Sequence, residues 1–243
     1  MKLLIMGSNG QLGNALMAEA RSRGWQAHGA DLPECDITRP ESLHSTFSSA
    51  GAMDAVINAA AYTAVDAAES DAETAFSVNR DGVGELAGLC RQKQVPLIHV
   101  STDYVFEGLK TSPYLPSDPV RPTGVYGRSK AEGEALIRDL LARHMIVRTS
   151  WLFGRHGANF VKTMVRLGKE RSSLRVVDDQ VGCPTYAGDL AAALLDVAAY
   201  GLQHQNGWGT YHYRNEVPVT WYAFARRILA LAGAYEKLQV AEI

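Results

Sequence analysis

Cysteine is scarce in this chain, with three in 243 residues, and Cys35, Cys90 and Cys183 stand far apart without any C-x-x-C pair. An odd, scattered set excludes a disulfide framework and a cysteine-built zinc site, and it fits a reducing compartment. Long apolar runs are missing too. Nothing approaches the roughly 20 residues of a membrane-spanning helix, and the apolar start "KLLIM" meets Gly7 too soon for a secretion signal. A soluble cytoplasmic protein is therefore expected, with no membrane partner. Charge of one sign does not accumulate either: 24 Lys and Arg face 26 Asp and Glu, a net −2, which argues against nucleic acid as a partner. No internal repeat, low-complexity tract or metal-ligand cluster stands out, so no metal is expected. What remains is 47% hydrophobic and 21% charged, sufficient for one large domain or a domain with a smaller lobe.

Short apolar runs alternate with helical stretches. "KLLIMG", "WQAHGAD", "DAVINAA", "VPLIHVS" and "HMIVRTS" read as strands. "NALMAEARSRG", "PESLHSTFSSA", "DAETAFSVNRDGVGELAGLCRQK" and "SKAEGEALIRDLLAR" read as helices between them. Such a rhythm requires parallel strands joined by helical crossovers, hence a doubly wound α/β sheet of Rossmann type over residues 1–150. The proline-rich "EGLKTSPYLPSDPVRPTG" is a loop within that unit. Beyond "WLFG" the rhythm loosens. "SLRVVDDQVGCPTYAGDLAAALLDVAAYG" gives a strand, a loop and a helix, and "GTYHYRNEVPVTWYAFARRILALAG" a strand and an amphipathic helix. Residues 151–243 are read as a smaller substrate-binding portion.

Two places carry chemistry. "MGSNGQLG" sets Gly7, Gly10 and Gly13 between the first strand and first helix, where glycine permits a tight turn and close backbone approach to a pyrophosphate. The following helix N-terminus offers free N–H groups to the same anion. Asp31, some twenty residues on, is placed to accept from ribose hydroxyls, which leans towards NAD. Arg21, Arg23 or Arg39 folding over that end would instead admit NADP. "CDIT" brings Asp36 and Ile37 towards the adenine.

The second place is split. Tyr126 and Lys130 lie four apart, on one helix face, and a lysine ammonium beside the phenol is expected to lower its pKa towards working pH. Thr102 follows the fourth strand, at the carboxyl edge where open parallel sheets bind ligands, and its hydroxyl is placed to assist a reacting carbonyl. Together the three read as a proton-delivering site for a carbonyl under reduction.

"GSNGQLG", "CDIT", "VINAAAYTAVDAAE", "STDYVFEG", "PTGVYGRSKAEGE", "RTSWLFG", "NFVKTMVRL" and "DDQVGCPT" occur in this order. As a set they resemble the dTDP-4-dehydrorhamnose reductase family of extended short-chain dehydrogenase/reductases, from residue 1 to about residue 230. The resemblance implies NADPH- or NADH-dependent reduction of the C4 keto group of a dTDP-linked deoxysugar, for rhamnose-containing cell-surface polysaccharide. It assigns proton donation to Tyr126, ribose binding and tuning of the phenol to Lys130, and assistance at the carbonyl to Thr102. Gly10, Gln11 and Leu12 would cradle the pyrophosphate. Asp31, Asp36 and Ile37 would surround the adenosine, and Ala61, Tyr62, Thr63 and Val100 would line the cofactor cleft. Val65, Asp66, Asp103 and Trp151 fall where the family contacts the sugar, with Asn159, Gln180 and Thr185 towards the nucleotide.

Plainer readings stand beside these. Trp151 would only cap the fifth strand, Asp66 only cap a helix, Asn159 and Gln180 only satisfy loop backbone, and His99 only pack within its strand. Family members usually run on for several dozen residues, through an Arg-Pro-bearing segment that helps complete the nucleotide-sugar side. Without it after "EKLQVAEI", the expectation is an intact cofactor half and weaker substrate binding. The alternatives carried forward are a non-catalytic NADP-binding regulatory subunit of the same fold, such as that of methionine adenosyltransferase, and another nucleotide-sugar reductase or epimerase. A homodimer is the expected assembly, since the fold often pairs through helices.

Overall fold

A computed structural model describes residues 1–243. In chain order the elements are β1 (Lys2–Met6), α1 (Gln11–Ser22), β2 (Gln26–Ala30), α2 (Pro40–Ala50), β3 (Ala55–Asn58), α3 (Val65–Ala68), α4 (Ala72–Phe76), α5 (Gly82–Gln92), β4 (Leu97–Thr102), α6 (Val125–Leu140) and β5 (His144–Thr149). There follow β6 (Leu152–Phe153), α7 (Phe160–Glu170), β7 (Val181–Gly182), β8 (Thr185–Tyr186), α8 (Ala187–His204), β9 (Gly209–His212), β10 (Val219–Thr220) and α9 (Trp221–Ala232). No helix is long and apolar enough to cross a membrane.

Six strands form one sheet in the order β2-β1-β3-β4-β5-β9, and every neighbouring pair is parallel. β3 is buried throughout and β1 nearly so, because helices cover both faces. Strands in that position read as continuous apolar runs, which is why "KLLIM" and "AVIN" do not alternate. One face packs Leu4, Val56 and Leu97 against Leu43 and Phe47 of α2, Leu86 of α5 and Ile137 of α6. The other packs Leu3, Ile5, Ile57 and Ile98 against Leu12 and Leu16 of α1 and Leu190, Leu194 and Leu195 of α8. The chain runs from β1 outward to β2 and then crosses to β3 on the other side. The connections after β1 and β3 therefore lead to helices on opposite faces, leaving a crevice at the carboxyl ends of these strands.

Local signals explain several boundaries. Pro40 opens α2, where its missing N–H costs nothing, and α1 gives way to Gly24 at φ +69°. Three segments differ from the sequence reading. "DAETAFSVNRDGVGELAGLCRQK" is interrupted by a π-helical turn, Ser77–Asp81, between α4 and α5. The strand expected in "SLRVV" is reduced to an isolated bridge between Ser173 and Glu242. From the C-terminal third, β9 joins the main sheet beside β5, and α8 covers it. A separate cluster of Met164, Leu174, Ala225, Ile228 and Leu229 holds α7 to α9.

Candidate functional site

The glycine loop leaves β1 at Gly7, whose φ of +73° is the left-handed region that glycine enters without penalty. A Cβ there would stand 2.6 Å from the Ala60 nitrogen, so the loops from β1 and β3 touch at this point. A Cβ on Gly13 would run into the Gly7 carbonyl and reach 2.6 Å from Ser8 Cα. Gly10 precedes α1, and no side chain caps that helix and no acidic residue occupies its first turn. The first backbone N–H groups of such a helix lack intrahelical partners and are available to an anion. This cradle fits a pyrophosphate.

Asp31 closes the loop from β2. Its Oδ2 accepts the Asn9 N–H at 2.8 Å and its Oδ1 the Leu32 N–H at 2.8 Å. Of the arginines considered for a 2′-phosphate, Arg23 is paired with Glu19 and Asp196 at 2.8 and 2.5 Å. Arg39 lies 3.4 Å from Asp36. Asp36 accepts the Thr38 N–H and hydroxyl at 2.9 and 2.7 Å; these contacts and Arg39 outweigh burial and hold its carboxyl below the usual range. Leu12 and Ile37 put their side chains into the two cores, so any ligand contact there falls to their backbones. Gln11 reaches the other half of the chain: its Nε2 donates to the Leu152 carbonyl at 3.1 Å and its Oε1 accepts from Asn159 Nδ2 at 2.7 Å.

Tyr126 and Lys130 sit in the first turns of α6 and are buried. Thr102 ends β4, and its hydroxyl accepts the Tyr104 N–H at 3.2 Å, donates to Asp103 at 3.1 Å and stands beside the Tyr126 phenol. Lys130 Nζ donates to the Val100 carbonyl at 2.8 Å and lies 3.1 Å from His99 Nε2. Thr102, Tyr126 and Lys130 thus lie together against β4, but the expected depression of the tyrosine pKa is absent. Burial, then Asp103 and Tyr104, outweigh the opposing influence of the Thr102 hydroxyl and push the phenol up to about 12. Lys130 is aimed at a carbonyl and an imidazole, and burial, partly offset by Glu134, brings it down to about 8. Burial raises Asp103 to about 6 against its hydrogen bonds from Thr102 and the backbone.

The loop after β3 carries Ala61, Tyr62 and Thr63 along the same edge. Asn79, in the π-helical turn, clamps it by accepting the Tyr62 N–H and donating to the Tyr62 carbonyl, both at 3.0 Å. Asn79 also donates to Ser129 Oγ at 3.0 Å, and Ser129 donates to the Tyr126 carbonyl at 2.8 Å. Asn79, Ser129 and Tyr104 (edge-on to Tyr126 at 5.6 Å between centroids) were not singled out from the sequence. Ser129 stands directly before Lys130 and Tyr104 inside "STDYVF", so both had a local signal. Asn79 had none, because a π turn leaves no periodicity to read.

Val65 packs with Ala68, Val125 and Tyr126, while Asp66 is exposed at the start of α3, whose N-cap is Ala64. Thr149, the last residue of β5, pairs with Thr102, so Trp151 leaves the sheet beside the trio. Trp151 holds φ +49°, uncommon for a bulky residue and typical of a site fixed by its surroundings. Its indole stacks on Trp221 at 3.5 Å, with Phe160 4.5 Å from the same ring. Trp221 was not legible, since it joins Trp151 from 70 residues away. Asn159 caps α7 through the Lys162 N–H at 3.1 Å and also donates to the Gly154 carbonyl. Thr185 is fully buried, with its hydroxyl on the Cys183 carbonyl at 3.3 Å, and Gln180 is exposed in the loop before β7.

Known proteins resemble this chain over nearly its whole length. The RmlD substrate binding domain family matches residues 1–243. The dTDP-4-dehydrorhamnose reductase of Aggregatibacter actinomycetemcomitans is 44% identical over 98% of this chain and 81% of its own. That of Mycobacterium tuberculosis is 40% identical over 96% and 76%. Among solved structures, a dTDP-4-dehydrorhamnose reductase from Clostridium acetobutylicum superposes with a TM-score of 0.91 at 37% identity, over 100% of this chain and 83% of that one. A Bacillus anthracis dTDP-4-dehydrorhamnose reductase in complex with NADP gives the same score and coverage at 36% identity. With its glycine cradle, its Thr-Tyr-Lys trio and these likenesses over nearly its entire length, the chain belongs to the dTDP-4-dehydrorhamnose reductase family.

Proposed function

We propose that this protein reduces the C4 keto group of dTDP-4-dehydro-β-L-rhamnose to give dTDP-L-rhamnose, with NADPH or NADH as the reductant. The observation that carries the reading is the placement of a protonated phenol, Tyr126 in the first turn of α6, beside the Thr102 hydroxyl that ends β4, next to the crevice that the glycine loop borders. The bound nicotinamide supplies a hydride. The protein supplies the rest. Tyr126, kept protonated at neutral pH, gives its proton to the carbonyl oxygen, and Thr102 orients that oxygen. Lys130 serves the ribose side, with the Gly7–Gly13 loop under the pyrophosphate and Asp31, Asp36 and Ile37 around the adenosine. Residues 1–150 hold the cofactor in this reading, and residues 151–243 meet the sugar nucleotide through Trp151, Asn159, Gln180 and Thr185, opposite Val65, Asp66 and Asp103.

Oxidation of NADPH and NADH followed at roughly 340 nm with dTDP-4-dehydro-β-L-rhamnose tests it. Stoichiometric oxidation with dTDP-L-rhamnose as product is the expected result. An epimerase would give an isomeric sugar without net oxidation, and a regulatory subunit would bind the cofactor without turnover. The cradle has its own test. In Gly13→Ala the new methyl must displace the Gly7 carbonyl, and NADPH affinity measured by calorimetry is expected to fall at least about tenfold, roughly 1.4 kcal/mol. Unchanged affinity would remove the loop from the cofactor site.

A further inference from the structure

Behind Lys130 a chain of buried polar groups runs across the sheet, from Asn58 at the end of β3 to His99 in β4 to the lysine amine; Asn58 and His99 are wholly buried. Hydrogen-bond polarity along this chain is fixed at one end. Asn58 Oδ1 accepts the Ala60 N–H at 3.0 Å, which turns Asn58 Nδ2 towards His99 Nδ1 at 3.1 Å. An amide nitrogen only donates, so His99 Nδ1 is the acceptor and the ring proton of the neutral imidazole sits on Nε2. Nε2 in turn faces Lys130 Nζ at 3.1 Å. A lysine ammonium has donors and no acceptor. Two donors cannot satisfy one another, so this polarity is met only when Lys130 offers a lone pair.

We propose that Asn58 and His99 are positioning residues that set the protonation of Lys130, biasing it towards the neutral amine through the enforced Nε2–H tautomer of His99. An ammonium at Lys130 would need the opposite tautomer, with Nδ1–H against the Asn58 amide. Flipping Asn58 moves the conflict elsewhere, because its Nδ2 would then confront the Ala60 N–H. A doubly protonated His99 is no escape, as burial and then the Lys130 charge hold its pKa well below the usual value.

The other ionisable groups around the pair come from several elements. Tyr126 and Glu134 lie on the lysine's own helix, and Asp103 follows β4 and faces the Tyr126 phenol. Arg148 of β5 binds Glu134, Tyr62 from the loop after β3 faces Asp71, and His212 of β9 faces Arg148. Of these Glu134 alone acts appreciably on Lys130, favouring the charged form, and it does not cancel the bias. The low proton affinity of Lys130 agrees in direction with the hydrogen-bond argument. The consequence is a lysine that titrates close to working pH although no cationic neighbour presses on it.

The inference concerns the free protein. It rests on the proposed function only for its effect on turnover, so the deciding readouts are spectroscopic. Long-range 1H–15N spectra of the full chain, with His99 assigned by His99→Phe, are expected to show a bare Nδ1 and a proton on Nε2. The Lys130 side chain, followed by 13Cε shift, is expected to titrate below about pH 9. Asn58→Asp offers His99 Nδ1 an acceptor while still accepting the Ala60 N–H, and should raise the proton affinity of Lys130 at least about tenfold. Because a new carboxylate also acts directly, the same change in a His99→Phe background should give less than about a third of that shift in pH midpoint. A proton on Nδ1 in the unaltered protein overturns the proposal, and needs no variant to fold. So does a Lys130 that stays charged past about pH 10, or a shift that survives undiminished without the imidazole.

Discussion

Tyr126→Phe is expected to lower turnover at least about a hundredfold while leaving the fold and cofactor affinity close to unchanged. General acids contribute about 10²–10⁴ in rate, and the Tyr126 phenol stands beside the Thr102 hydroxyl at this edge of the sheet. The variant keeps the ring, so the edge-on contact with Tyr104 and the packing against Ala68, Ala75 and Val125 survive. What it loses is one hydroxyl, which at the scale of a single net hydrogen bond is worth no more than about 1 kcal/mol of stability. Turnover and melting temperature should therefore separate sharply. Near-normal turnover would strip Tyr126 of the acid's role, and a large fall in stability would mean that the phenol is chiefly structural. The pH profile adds a sign. The phenol is held near 12 by burial, so it remains protonated at every pH below that, and any loss of activity between about pH 7 and 10 must come from another group. Lys130, near 8, is the group in that range that touches the site.

Much of this architecture is legible in sequence because it depends on period and punctuation. The strands β1, β3, β4 and β5 are largely buried runs of four to six residues alternating with helices, and the glycine spacing marks where backbone must approach backbone. The trio is legible because Tyr126 and Lys130 share a helix and Thr102 ends a strand. What escapes is whatever depends on long-range partners. The Asn79 clamp, the Trp151–Trp221 stack and the bond between Gln11 and Asn159 join residues 17, 70 and 148 positions apart. The sheet position of β9 escapes as well: "GTYH" reads as a strand but is too short and polar to announce that it borders β5. The lysine's effect on Tyr126 was misread for a related reason. Spacing on a helix says which residues are neighbours and nothing about where an ammonium points; β4 supplies Lys130 with a carbonyl and an imidazole instead.

The second large effect concerns how α6 is held. Glu134 lies one turn beyond Lys130, and Arg148 of β5 grips it with two bonds, Nε to Oε1 at 2.8 Å and Nη2 to Oε2 at 2.6 Å. Both side chains are buried, at 0% and 4% exposed. Arg148 also stacks over Phe106 at 5.0 Å and donates to the Pro116 carbonyl at 3.3 Å, so it ties the proline-rich loop to the same point. Arg148→Met keeps most of the volume but leaves a carboxylate in the core with only Arg138, 38% exposed, as a partner. Breaking a buried pair from one side costs about 3–5 kcal/mol. At about 2–4 °C per kcal/mol for a chain of this size, that is a drop of roughly 6–20 °C in melting temperature. Arg148→Met with Glu134→Leu should recover much of the loss, because the cost lies in the abandoned charge and not in the missing attraction. A double variant no more stable than Arg148→Met would show that the arginine matters through its packing on Phe106 instead. The pair also sets an acid limit. Burial alone would raise Glu134, but the hydrogen bonds and charge of Arg148, and then Arg138, hold it below its ordinary value of 4.5. A carboxyl whose folded pKa is depressed contributes its stability above the unfolded value and surrenders it as pH falls through the folded one. Melting temperature should therefore decline below about pH 4.5 in the unaltered protein, and the part of that decline due to Glu134 should vanish in the double variant. Turnover ought to follow stability here, since the helix released from β5 is the one that carries Tyr126 and Lys130.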